Sequence, residues 1–132
     1  MAFILHVIDA PEVSTPQAAK VFIAEQRSKE PSQNPKFARF TTLITKKYPD
    51  LSEEDEDGDN DENVWEEGID DHASYGNMKL VAVKVDLTDK ALVFEIARAA
   101  IAAELQLYDD EGQALYHSNS TIVDMQGRIK PF

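Results

Sequence analysis

Between residues 53 and 71 the chain carries twelve acidic side chains: Glu53, Glu54, Asp55, Glu56, Asp57, Asp59, Asp61, Glu62, Glu66, Glu67, Asp70 and Asp71. The same stretch has neither lysine nor arginine. Residues 53–63 hold no apolar side chain. Neighbouring carboxylates in water repel by roughly 0.5–1 kcal/mol per close pair, and fixing a residue costs about 1–2 kcal/mol in backbone entropy. Nothing in that run offsets either cost, so a core has to be assembled from the residues on either side. A mobile loop is predicted at about 51–77, with Val64, Trp65 and Ile69 anchoring its end as an edge strand. The chain holds 25 acids and 13 bases, so without these twelve the count is 13 against 13. The formal net charge of −12 therefore belongs to a segment, and the remaining body is neutral.

At 132 residues the chain fits one ordinary domain, which buries roughly two-thirds of its unfolded surface. Hydrophobic residues make up 42%, close to the globular average, which argues against wholesale disorder. The absence of cysteine excludes disulfides, thiolate metal sites and a cysteine nucleophile. No apolar run approaches the ~18 residues that span a bilayer. The apolar stretch 3–8 is short, lacks a basic region before it and contains His6, so it does not read as a signal peptide. A soluble, cytoplasmic protein is expected, with no membrane association. The acidic balance argues against nucleic acid as a partner, because phosphate neutralisation needs clustered Lys and Arg. Lys46 and Lys47 form the nearest basic cluster, and at a predicted helix end they complement the helix dipole.

Residues 3–8 read as a strand that is apolar on both faces, which suggests a central position. A helix should start at Ser14 or Thr15, with Pro16 in its first turn and Ser14 with Gln17 fitting a capping box. Ala18, Val21, Phe22 and Glu25 share helical spacing, and this flank is predicted to pack. A second helix is capped by Asn34, begins at Pro35 and carries Phe37, Phe40, Ile44 and Tyr48 at helical intervals. Pro49 ends it.

Residues 79–87 alternate strictly and predict a strand with one richly apolar face. A helix from a Thr88 cap to about Glu104 follows, with Leu92, Val93 and Ile96 on one side and Phe94, Ile101 and Leu105 on another. Two stripes call for two neighbours: the sheet and either another helix or a second subunit. The second option predicts a homodimer. Residues 105–108 and 113–116 form a hairpin in which Gly112 supplies the left-handed position, and the tail adds a strand at 121–125. The order predicts a single α+β domain over 1–132, an antiparallel sheet with helices on one face, as in a ferredoxin-like sandwich.

Tyr48-Pro49-Asp50-Leu51 running into Glu53-Glu54-Asp55, then Trp65, the alternating strand, the helix and Leu107-Tyr108-Asp109 before Gly112 form a recognisable series. Over residues 1 to about 116 the chain resembles a group of small bacterial proteins without established activity. The resemblance implies an α+β fold and no particular chemistry. Residues 56–62 make this loop longer and more acidic than is usual in that group.

Aligning Gly58 with the invariant glycine of an EF-hand loop places Glu53, Asp55, Asp57, Asp59 and Asp61 at ligand positions. Val64 then stands where a bidentate Glu is required, and Pro49 where the entering helix should be. Asp55, Asp57, Asp59 and Asp61 are thus weak candidates for Ca²⁺ or Mg²⁺, and a divalent-cation domain is the alternative reading. His6, His72 and His117 lack metal-ligand spacing. His6 on a central strand reads as a packed, hydrogen-bonded core residue, and His117 as an exposed strand end. Ser118 and Ser120 beside His117 lack nucleophile-elbow glycines. The five glycines are too dispersed for a phosphate-binding or dinucleotide loop. No catalytic residue and no cofactor is assigned, and an enzyme of unrecognised type is the third reading.

A dense anionic run beside Trp65 and Tyr75 joins long-range attraction to aromatic anchors, the combination suited to a basic protein partner. Glu53, Glu54, Asp55, Asp57, Asp59, Asp61 and Glu66 would steer, and Trp65 and Tyr75 would dock. An immunity-type inhibitor covering a cationic active site has this composition. An adaptor, or a loop that only confers solubility, has it too.

Overall fold

A computed structural model describes residues 2–30, 34–48, 65, 74–84, 90–117 and 120–131. Among them the order is β1 (Ala2–Ile8), α1 (Pro16–Gln26), α2 (Pro35–Lys47), β2 (Ser74–Tyr75), β3 (Met78–Lys84), α3 (Lys90–Ala102), β4 (Gln106–Asp109), β5 (Ala114–His117), β6 (Thr121–Asp124) and β7 (Ile129–Pro131). The seven strands form one sheet in the order β2-β3-β1-β4-β5-β6-β7, antiparallel at every pairing. The α+β class expected from the sequence is what the chain adopts.

β1 lies between β3 and β4, with Leu5 opposite both Val81 and Asp109 and Val7 opposite Lys79 and Leu107. Its two apolar faces are both used. Leu5 and Val7 belong to a core with Phe37, Phe40 and Ile44 of α2 and Leu92, Val93 and Ile96 of α3. Ile8 turns the other way, into a second cluster with Ala19 and Ile23 of α1, Met78, Tyr108 and Leu115. Side chains alternate across a strand, so α1 covers the sheet face opposite α2 and α3. This corrects the expectation of helices on one face. Periodicity reports that a helix has an apolar side, but not which face of a two-sided sheet receives it.

The packed side of α1 also differs from the expected one. Pro16, Ala19, Ile23 and Gln26 are buried, Phe22 is half-buried, and Ala18, Val21 and Glu25 face solvent, Val21 with 61% of its surface exposed. Apolar residues occupy both flanks of this helix, so the spacing could not choose between them. Thr15 caps it, its hydroxyl accepting from Ala18 N at 3.2 Å. The far end docks on the β2–β3 turn, where buried Gln26 Oε1 accepts from Asn77 N at 3.1 Å. In that turn Gly76 has φ of 55°, and a side chain there would run into Gln26 and Lys29. The turn and β2 occupy residues 74–77, which the sequence assigns to the end of the mobile loop. Ser74 and Tyr75 pair with Lys79 and Met78, and that pairing removes them from it.

α2 is as predicted. Asn34 accepts from Lys36 N at 3.0 Å, and its amide donates to Asp9 Oδ2 at 2.7 Å, tying the helix start to the end of β1. Phe37, Phe40 and Ile44 fill the space between α2, α3 and the sheet. α2 of the same chain thus shares its core with Leu92, Val93 and Ile96 of α3 and with Leu105 just after it, while Phe94 packs on Tyr116 and Ile101 is half-buried. Residues 85–89, including the expected Thr88 cap, lie outside the described residues.

Candidate functional site

Glu53, Glu54, Asp55, Asp57, Asp59, Asp61 and Glu66, the steering residues expected from the sequence, lie outside the described residues, and the four weak calcium candidates lie among them. His72 does so as well. Trp65 and Tyr75 are described, and neither is an exposed anchor. Tyr75 is half-buried against the α1-side cluster. Trp65 has no accessible surface and sits in the core with Phe40, Val83 and Leu92. Its backbone makes an isolated antiparallel bridge to Val83 of β3, while Val64 and Ile69, the other residues of the expected edge strand, lie outside the described residues. The reading of Trp65 as a partner contact is corrected: an indole at 0% exposure can dock nothing without leaving the core.

What Trp65 holds is its own chain. Nε1 donates to the Tyr48 carbonyl oxygen at 2.9 Å, and the two rings meet edge to face with centroids 6.5 Å apart. Tyr48 caps the end of α2. Tyr48 and Trp65, which flank residues 49–64 with Asp50 and eight of the twelve acids counted above, thus meet beside β3.

Among the described residues, two of the clefts lie on opposite faces of the sheet. The larger, about 650 Å³, lies between Val93 and Phe94 of α3 and residues of β4 to β7. Tyr116 and Ile122 floor it, Phe94 forms a wall with its ring 6.0 Å from that of Tyr116, and Arg128 and Lys130 line it from the β6–β7 side. Asp109 is buried at its edge, with Oδ1 accepting from Gly112 N at 3.0 Å. Burial raises the Asp109 pKa, against the lowering effect of the backbone N–H groups of Gly112 and Glu111. Burial also pushes Tyr116 up to about 12, with the nearby Asp109 charge adding to it. Gly112 serves this contact rather than the left-handed position predicted for it: Gln113 takes that position, with φ of 50°, and a side chain at 112 would collide with the Asp109 carboxylate.

The smaller cleft, about 270 Å³, lies between α1 and the sheet, over His6. Lys20, Ile23, Ala24 and Arg27 line it from α1, and Tyr108 and Asp110 from the sheet side. The Tyr108 hydroxyl donates to Asp110 Oδ1 at 3.0 Å, and Lys20 Nζ lies 3.9 Å from the same oxygen. Burial, with Asp110 adding, raises the Tyr108 pKa.

His6 is 7% exposed, and neither ring nitrogen has a hydrogen-bond partner. The expectation of a packed histidine holds, and that of a hydrogen-bonded one does not. The groups nearest the ring leave it unserved: the Tyr108 ring stands 6.1 Å away, tilted by 43°, and its hydroxyl is committed to Asp110. Burial, then the Arg27 charge, lower the His6 pKa to about 4, so the ring is neutral near neutral pH. A buried, unmet donor or acceptor costs about 1–3 kcal/mol. No feature of residues 3–8 signals this, because the cleft is assembled from positions 6, 20, 27, 108 and 110. Only the two-turn spacing of Lys20 and Arg27 around Ile23 and Ala24 hints at a shared face.

His117 is half-buried, its Nε2 3.2 Å from the Pro11 carbonyl, rather than exposed as expected. Among the described residues no three metal-ligating side chains are grouped to hold an ion, and no helix is long and apolar enough to cross a membrane. No protein family matches the chain, and no curated protein or solved structure matches it at a significant level.

Proposed function

We propose that the protein is a binding domain that presents its acidic segment to a basic protein partner and performs no chemistry of its own. The observation that carries this reading is the Trp65–Tyr48 closure, taken with the charge distribution. Tyr48 and Trp65 flank a span, residues 49–64, that contains nine acids and no base and leaves a formal charge of −3 on the rest of the chain, so most of the surplus charge belongs to one segment. Such concentration raises encounter rates with a cationic partner and selects against anionic ones. Fastening the ends also reduces the chain entropy that binding would otherwise have to overcome. An immunity-type inhibitor is the most specific version of this reading. The strand order β2-β3-β1-β4, with α2 and α3 on one face, supports a ferredoxin-like half-sheet, extended by β5 to β7 and covered on the opposite face by α1.

Affinity capture with the full chain tests the reading. A basic partner should be retained at low salt and lost steeply beyond ~0.1 M, where screening shortens the reach of exposed charge. A variant with Glu53, Glu54, Asp55, Asp57, Asp59 and Asp61 changed to their amides should retain it at least tenfold less well, about 1.4 kcal/mol. Equal retention by both proteins would contradict the reading.

A further inference from the structure

We propose that the cleft between α1 and the sheet, with His6 at its floor and Lys20 and Arg27 at its sides, is a binding site for a small oxyanion that carries an O–H group. Inorganic phosphate is the simplest such ligand. The inference does not involve the acidic segment and lies on a different part of the molecule from the Trp65 closure.

The site is built by three elements. β1 supplies His6, α1 supplies Lys20 and Arg27 two turns apart with the small Ala24 between them, and the end of β4 supplies Tyr108 and Asp110. Charge around the cleft favours an anion. Asp110 is already engaged by the Tyr108 hydroxyl and by Lys20, whereas no carboxylate pairs with the exposed Arg27 among the described residues. Two cations and one satisfied carboxylate leave a net positive cleft on a protein whose total charge is −12.

His6 determines which anion. It is more than nine-tenths buried, it lines the cleft, and both ring nitrogens are unmet. A neutral imidazole offers one N–H donor and one bare nitrogen acceptor. A fully deprotonated oxyanion such as sulfate can accept from the N–H but has nothing to give the bare nitrogen. Phosphate near neutral pH keeps a hydroxyl and carries acceptor oxygens as well, so it can serve either nitrogen and still face Arg27 and Lys20. A site built to hydrogen-bond a ligand O–H discriminates strongly against analogues lacking it, because its buried polar group is then left unpaired.

The test titrates the full chain with inorganic phosphate and, at matched ionic strength, with sulfate. Calorimetry and the NMR signals of the His6 ring and Tyr108 are followed. Saturable phosphate binding is expected, at least tenfold tighter than sulfate (about 1.4 kcal/mol), with both signals shifting together. Arg27→Gln, a change at an exposed position, should weaken phosphate about tenfold by the same measure. His6→Leu should bring phosphate down to the sulfate level while circular dichroism stays native. Unsaturable shifts, equal affinity for the two anions in the wild type, or undiminished phosphate affinity in Arg27→Gln would each overturn the proposal. If His6→Leu does not fold, the wild-type selectivity and Arg27→Gln decide the matter between them.

Discussion

Replacing Trp65 by alanine should lower the unfolding free energy by about 3–5 kcal/mol, the range for truncating a large buried aromatic side chain. The indole is fully enclosed, touches the shared core of α2, α3 and the sheet, and holds the Tyr48 carbonyl through Nε1. Domains of this kind are stable by about 5–15 kcal/mol, so the loss is a large fraction of the total. At about 2–6 °C per kcal/mol for a chain of this size, the melting temperature should fall by ~10–20 °C. Trp65→Phe keeps most of the packing and loses the hydrogen bond, for a cost of about 1–3 kcal/mol. Thermal and urea unfolding measure both variants. A Trp65→Ala protein within about 1 kcal/mol of wild type would place the indole outside the core and remove the closure on which the functional reading stands.

The second large effect is a loss of stability in acid that depends on His6. In the folded protein its pKa is lowered to about 4 from 6.5, chiefly by burial. As pH falls through that window, the unfolded chain takes up a proton that the folded chain refuses, so the unfolded state gains. Stability from this group is fully present above 6.5 and is lost progressively down to about 4. At about 1.4 kcal/mol per unit, the difference is worth roughly 3 kcal/mol. His6→Leu removes the titration together with the two unmet nitrogens. In phosphate-free buffer the variant should be at least as stable as wild type near neutral pH, and its advantage should widen by roughly 3 kcal/mol by about pH 4. Carboxylates titrate in the same range, but they are common to both proteins and cancel in the difference. An advantage that stays constant with pH would mean that His6 is solvated or hydrogen-bonded.

The parts of this fold legible in the sequence are those whose signal is local. Apolar residues on both faces of residues 3–8 marked the central strand, the Asn34-Pro35 pair marked the start of α2, and strict alternation marked β3. Of the two stripes expected on α3, Leu92, Val93 and Ile96 pack into the core shared with α2, whereas Phe94 turns to Tyr116 and Ile101 is half-buried. The illegible parts depend on tertiary placement. α1 is apolar on more than one flank, so neither its packed side nor its sheet face could be derived from spacing. β7 is short and exposed along its length, which leaves no alternation to detect. Trp65 beside acidic residues reads as a surface anchor until Tyr48 and Val83 are seen around it. The His6 cleft draws on both ends of the chain, and the larger cleft joins α3 to β4–β7 residues from 109 to 131. In neither does a compact motif announce the site.

The proposed function requires that the body fold without the acidic run next to Trp65. Replacing residues 53–62 with a Gly/Ser linker of equal length, Trp65 retained, removes eight carboxylates and brings the formal charge from −12 to −4. Thermal melting of that variant, read through Trp65 fluorescence, is the most direct test. The account predicts one cooperative transition at the wild-type temperature or above it, with the buried-indole emission preserved. A melting temperature lower by more than ~10 °C, a loss of several kcal/mol, or an emission shifted to that of exposed tryptophan would contradict it.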